Sequence, residues 1–120
     1  MTPDLARLIE RVRAELTDDL LRPESLNAPR RTSSAGHCYV ASETIYHLTG
    51  RVLRPVRIVH ENTPHWFLID ADGNVVDATA DQFATPVPYD EGRRRPFRTR
   101  RPSKRAQTLI RRVLTGDDTT

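Results

Sequence analysis

The chain predicts an α+β domain: a small antiparallel sheet packed against an N-terminal helix, a Cys-bearing helix and a C-terminal helix. Three observations carry this. Apolar residues recur at helical spacing near both ends and again from Cys38. Between residues 55 and 79 they fall instead into short alternating runs. Those runs are divided by Pro, Asn, Asp and Gly, the residues of tight turns. At 120 residues one domain is expected, over 1–115, followed by a disordered tail at 116–120.

The first helix is expected over residues 3–21. Leu5, Leu8, Ile9, Val12, Leu16, Leu20 and Leu21 lie on one face, Thr2-Pro3-Asp4 signals its start and Pro23 ends it. Residues 22–36 are polar, with two prolines and a glycine, and form a loop that delivers the chain to Cys38. Over residues 37–49, Ala41, Ile45 and Leu48 follow Cys38 at helical steps, and Gly50 is placed to cap the C-terminus. A strand over residues 55–60 alternates Val56, Ile58 and His60, and Glu61-Asn62-Thr63-Pro64 turns. Strands 65–70 and 74–79 follow, joined across Ala71-Asp72-Gly73. Ala80-Asp81-Gln82-Phe83 reads as one helical turn. Residues 85–102 hold four of the nine prolines and are expected to be irregular. Ser103 caps a last helix over residues 104–114, with Ala106, Leu109, Ile110 and Val113 on one face.

Composition excludes several classes of function. A single cysteine rules out an intramolecular disulfide and any Cys-rich zinc site. His37, Cys38, His60 and His65 contain no pair at a metal-ligand spacing, so neither a metal nor a cofactor is expected. No apolar stretch approaches the ~18 residues of a membrane span, and Met1-Thr2-Pro3-Asp4 does not open a signal peptide, so a cytoplasmic protein is expected. The net charge is +3, but ten of the 19 basic residues lie within 93–112, a stretch without an acid. Such a segment suits nucleic acid or an acidic protein partner. Since 18 of the 19 are Arg, codon bias in a GC-rich genome accounts for the composition equally well.

Cys38, His65 and Asp77 are the candidate catalytic residues. A thiol at a helix N-terminus is favoured as the thiolate, a histidine takes its proton, and a carboxylate fixes the histidine's tautomer. Backbone amides at the helix start would face an oxyanion. The hairpin register decides whether Asp77 can serve. A three-residue loop at Ala71-Asp72-Gly73 pairs Asp70 with Asn74 and Phe67 with Asp77, and puts His65 and Asp77 on one face. A two-residue Asp72-Gly73 turn slips the register by one and turns Asp77 away. Each residue also has a structural reading: a small buried hydrophobe for Cys38, an edge histidine for His65, a turn cap for Asp77. His60 is the rival base. His37 is placed at a substrate entrance, His47 in the scaffold, and Glu43 either near the thiol or on the solvated surface.

Cys38 opening a helix, then His65-Trp66-Phe67-Leu68-Ile69, then Gly73-Asn74-Val75-Val76-Asp77-Ala78-Thr79 resembles the papain-like and transglutaminase-like cysteine enzymes. There the His strand and an Asp-Pro-Thr strand end follow the Cys helix. Gly-His-Cys-Tyr, His-Trp-Phe and Thr-Ala-Asp-Gln-Phe are similar to segments of small proteins of actinobacteria and their phages. The resemblance covers residues 34–80. It implies a papain-like/transglutaminase-like core with Cys38 as nucleophile, His65 as base and acid, and Asp77 as its orienter. The implied activity is a thiol hydrolase or acyltransferase acting on an amide of a protein, peptide or other substrate. The alternative is a non-enzymatic module that binds nucleic acid or an acidic protein through residues 93–112.

Overall fold

A computed structural model gives residues 3–20 and 37–115 as three α-helices and a four-stranded antiparallel sheet. The helices are α1 (Pro3–Ala14), α2 (Cys38–Leu48) and α3 (Lys104–Thr115). The strands are β1 (Arg54–His60), β2 (Thr63–Ile69), β3 (Val75–Val76) and β4 (Arg93–Arg94), in the order β3-β2-β1-β4. The α+β architecture matches the expectation. The loop expected over 22–36 and the tail at 116–120 lie outside the described residues. Among the described residues no helix is long and apolar enough to cross a membrane.

Several boundaries differ from those expected. α1 stops at Ala14, and a 3-10 turn, Asp18–Leu20, follows. Thr17 and Asp19 favour turns over helix interior, because their short polar side chains compete for backbone groups. Leu16 and Leu20 still reach the core. β3 is two residues long, and Arg93–Arg94 adds a fourth strand where irregular chain was expected. The turn after β1 is tighter than four residues. His60 pairs with Thr63, and Glu61 and Asn62 carry it at φ 51° and 61°, the left-handed pair of a two-residue hairpin.

That hairpin determines what Pro64 does. His60↔Thr63 closes the ladder as its hydrogen-bonded pair, so at the next pair, Val59↔Pro64, the backbone polar groups point away from β1. β3 pairs only with Leu68 and Ile69. Pro64 therefore lies on an open edge, where its missing N–H costs the ladder nothing and its carbonyl faces outward.

The two faces of the sheet are covered differently. Leu68 and Val76 pack with Val12, Val40, Ile45 and Leu109 of the helices. On the opposite face Val56, Ile58 and Phe67 pack under Phe83, Val87 and Tyr89, which come from the segment between β3 and β4. Gly92 passes close over this second face. A β-carbon there would stand 2.7 Å from Val56 Cγ1 and 3.0 Å from Phe67 Cζ.

The first two turns of α2 are buried on all sides, including Ser42, Glu43 and Thr44. Ser42 Oγ donates to the Trp66 carbonyl (3.1 Å), which fixes α2 on β2. Glu43, expected near the thiol or on the surface, is instead fully buried. Its carboxylate accepts from Ser103 N and Ser103 Oγ, both at 2.7 Å. Ser103 Oγ accepts in turn from Ala106 N (3.2 Å). The start of α3 is thus capped by its own serine and by a carboxylate from α2.

Candidate active site

The register places Asp77. Leu68 pairs with Val76 and Ile69 with Val75, while Asp70 N donates to Asn74 O at 3.0 Å. This is the three-residue loop, with Gly73 at φ 84°. The Asp70 carboxylate braces it by accepting from Asp72 N and Asn74 N, both at 2.9 Å. One step beyond Val76, Asp77 stands opposite Phe67 on the face that also carries His65.

Asp77 Oδ2 accepts from His65 Nε2 at 2.7 Å, and the two side chains are 3% and 0% exposed. The same oxygen accepts from Tyr89 Oη at 2.9 Å. Oδ1 accepts from Thr79 N at 3.1 Å and lies 3.5 Å from Thr79 Oγ1. Both oxygens are occupied, so the carboxylate is held in one orientation. Arg13 of α1 fixes the next stretch: it donates to the Ala78 carbonyl and pairs with both oxygens of Asp81 at 3.0 Å.

The His65 ring lies between Phe67, stacked at 6.1 Å, and Phe83, edge-on at 4.8 Å. Its pKa is raised to about 9. Burial alone would lower it. The hydrogen bond to Asp77, the nearby Cys38 thiol and the charges of both outweigh that effect. With Nε2 committed to Asp77, the influence of Cys38 falls on Nδ1. That atom is buried and closes no hydrogen bond of standard geometry, so thiol and ring are near each other without being locked together.

A histidine whose folded pKa lies above its unfolded one stabilises the fold fully below the unfolded value, near ~6.5, and loses that contribution as pH rises through the folded value. Stability is therefore expected to fall between those limits, up to about pH 9. His65→Gln should flatten this part of the profile in urea melts across pH; an unchanged slope would refute the ion pair.

Cys38 is the first residue of α2 and is 8% exposed. Its Sγ lies 3.9 Å from the outward-facing Pro64 carbonyl, one residue before His65. The thiol thus meets the ring at the open edge of β2, although α2 and His65 belong to opposite faces of the sheet. The first helical hydrogen bond at this end runs from Ala41 N to His37 O at 2.9 Å, so the Cys38 amide has no intrahelical acceptor.

The remaining candidates are placed elsewhere. His37, expected at a substrate entrance, is fully buried, and its Nε2 lies 2.8 Å from the Thr17 carbonyl, tying the start of α2 to the chain after α1. His60 faces Thr85 and Phe83, not the thiol. His47 is half-buried against Tyr46 near the far end of α2, and burial lowers its pKa. Tyr89, Phe83 and Arg13 escaped the sequence reading. Thr79 was visible within Asp77-Ala78-Thr79, but Tyr89 sits in proline-rich chain with no periodic signal. Among the described residues no three His, Cys, Asp or Glu side chains converge to hold a metal ion.

Comparison with known protein families, with curated proteins and with solved structures finds no match to this chain. The functional reading therefore rests on the site itself.

Proposed function

We propose that the protein is a cysteine hydrolase or acyltransferase acting on amide bonds, with a minimal papain-like/transglutaminase-like core. The carrying observation is the buried Asp77–His65 pair, with the free ring nitrogen on the side of Cys38. An imidazole whose affinity for a proton is raised this far, to about 9, can take the thiol proton and hold it, which a thiol needs in order to become a nucleophile. In the reaction His65 Nδ1 takes the thiol proton and Cys38 Sγ forms a bond to the amide carbonyl carbon. The negative charge moves to the carbonyl oxygen, toward the amide at the start of α2. His65 returns the proton to the leaving nitrogen, the C–N bond breaks, and a thioester remains. Water or an amine, deprotonated by His65, then attacks the thioester and regenerates the thiol. A protein or peptide amide is the proposed substrate, and the cytoplasm, which keeps thiols reduced, the proposed compartment.

The test uses the chain's single thiol. Brief exposure of the folded protein to iodoacetamide at neutral pH, followed by intact-mass measurement, should add one carbamidomethyl group. His65→Gln should slow that addition by about tenfold or more. A thiol that reacts only after denaturation, or at a rate indifferent to His65, overturns the reading.

A further inference from the structure

Two recesses flank β4 at the outer edge of the sheet. One, of about 600 Å³, is lined by Arg54, Arg94, Arg95 and Arg100 together with Tyr46 and Phe97. The other, of about 540 Å³, is lined by Arg57, Arg93, Arg94 and Arg95, with Glu91 as its acid. Arg94 and Arg95 border both, so the recesses form one trough. None of these six arginines makes an ion pair among the described residues. All are exposed except Arg57, which is half-buried. This contrasts with Arg105 and Arg112, also in the basic segment, which are spent on structure: Arg105 donates to the Leu20 carbonyl and Arg112 pairs with Asp19.

We propose that the trough binds single-stranded nucleic acid. Guanidinium groups that form no ion pair among the described residues and outnumber the one acid beside them, gathered in a concave surface, focus a positive potential that attracts a polyanion. They pair bidentately with phosphate oxygens. Tyr46 and Phe97, themselves packed edge-on at 5.2 Å, add aromatic surface to the wall of the larger recess, against which unstacked bases can lie. An acidic peptide would be the rival occupant, docking by strand addition to the free edge of β4. That edge is two residues long and both are arginine, features that discourage main-chain pairing. Neither recess is lined by Cys38, His65 or Asp77, so the binding is separable from the thiol chemistry.

The experiment is fluorescence anisotropy with a labelled oligothymidine of about 12 nucleotides, titrated across a salt series. Binding should weaken linearly on a log–log plot with a slope near −3, as for roughly four phosphates neutralised on a single strand. Arg94→Glu/Arg95→Glu should weaken it at least about tenfold and flatten the slope. Arg94→Gln/Arg95→Gln serves if the charge reversal perturbs folding by circular dichroism. Tyr46→Leu should weaken binding several-fold with the slope unchanged, because stacking does not release counterions. Arg7→Glu/Arg111→Glu, the same change in net charge on exposed residues elsewhere, should bind like the parent. Absence of binding, an equal loss in that control, equal affinity for a duplex, or stronger competition by polyglutamate than by the oligonucleotide would each overturn the proposal.

Discussion

Asp77→Asn is expected to slow the proposed amide cleavage or transfer by roughly 10³–10⁴-fold, the scale on which a triad's carboxylate matters once neutralised. The geometry explains why an isosteric change should be this severe. Asp77 Oδ2 accepts from both His65 Nε2 and Tyr89 Oη, and Oδ1 accepts from Thr79 N. An asparagine can put its carbonyl oxygen toward only one of these sides. If it faces His65 and Tyr89, its NH₂ meets the Thr79 N–H and a buried donor is stranded, at a cost of about 1–3 kcal/mol. Turned round, its NH₂ donates to His65 Nε2 and fixes the opposite tautomer, with the ring's proton on Nδ1 toward the thiol. The His65 imidazolium also loses its counter-charge while keeping its burial, so its pKa should drop from about 9 toward or below the ordinary value near ~6.5. Histidine NMR titration beside an activity or alkylation assay would measure both effects. An unmoved His65 titration would show that Asp77 does not hold the ring's proton.

The largest expected loss of stability comes from outside the candidate site. Glu43→Ala should destabilise the fold by about 3 kcal/mol or more, since it removes two hydrogen bonds to a buried carboxylate and strands Ser103 N at the start of α3. For a domain of this size that lowers the melting temperature by roughly 12 °C. Glu43→Gln should cost much less, because the amide can accept from Ser103 N with its oxygen and donate to Ser103 Oγ. Thermal unfolding of the two variants separates the cap from mere cavity formation: equal losses would show that packing, not hydrogen bonding, is what Glu43 supplies.

These two residues mark what could be read from sequence. The position of Asp77 was legible because strand periodicity is strict. Once Gly73 takes the left-handed place in a three-residue loop, every residue behind it has an assigned face. Cys38 at a helix start was legible for a similar local reason, and α3 from Ser103 and its apolar spacing. Glu43 was not, because its partner lies 60 residues away and a Glu on a helix normally faces water. Nor was β4: Arg93 and Arg94 carry no strand signal, and β1 supplies their pairing. Tyr89 reaches Asp77 only because residues 80–92 fold back across the sheet, a path that depends on distant anchors such as Arg13 to Asp81 and Glu61 to the Thr85 amide.

The unequal covering of the sheet has a consequence for how the site can fail. Cys38 is rooted in the layer of three helices. The oriented carboxylate and the roof over the imidazole depend on a short 3-10 turn, a tyrosine and a few polar ties in the layer opposite. The site is a seam between two layers of different cooperativity. Local opening is expected to take the less regular layer first, at a free energy below that of global unfolding. Heat or denaturant would then release His65 and Asp77 from each other while the helix bearing Cys38 stays folded, so that the proposed activity is lost before the protein unfolds.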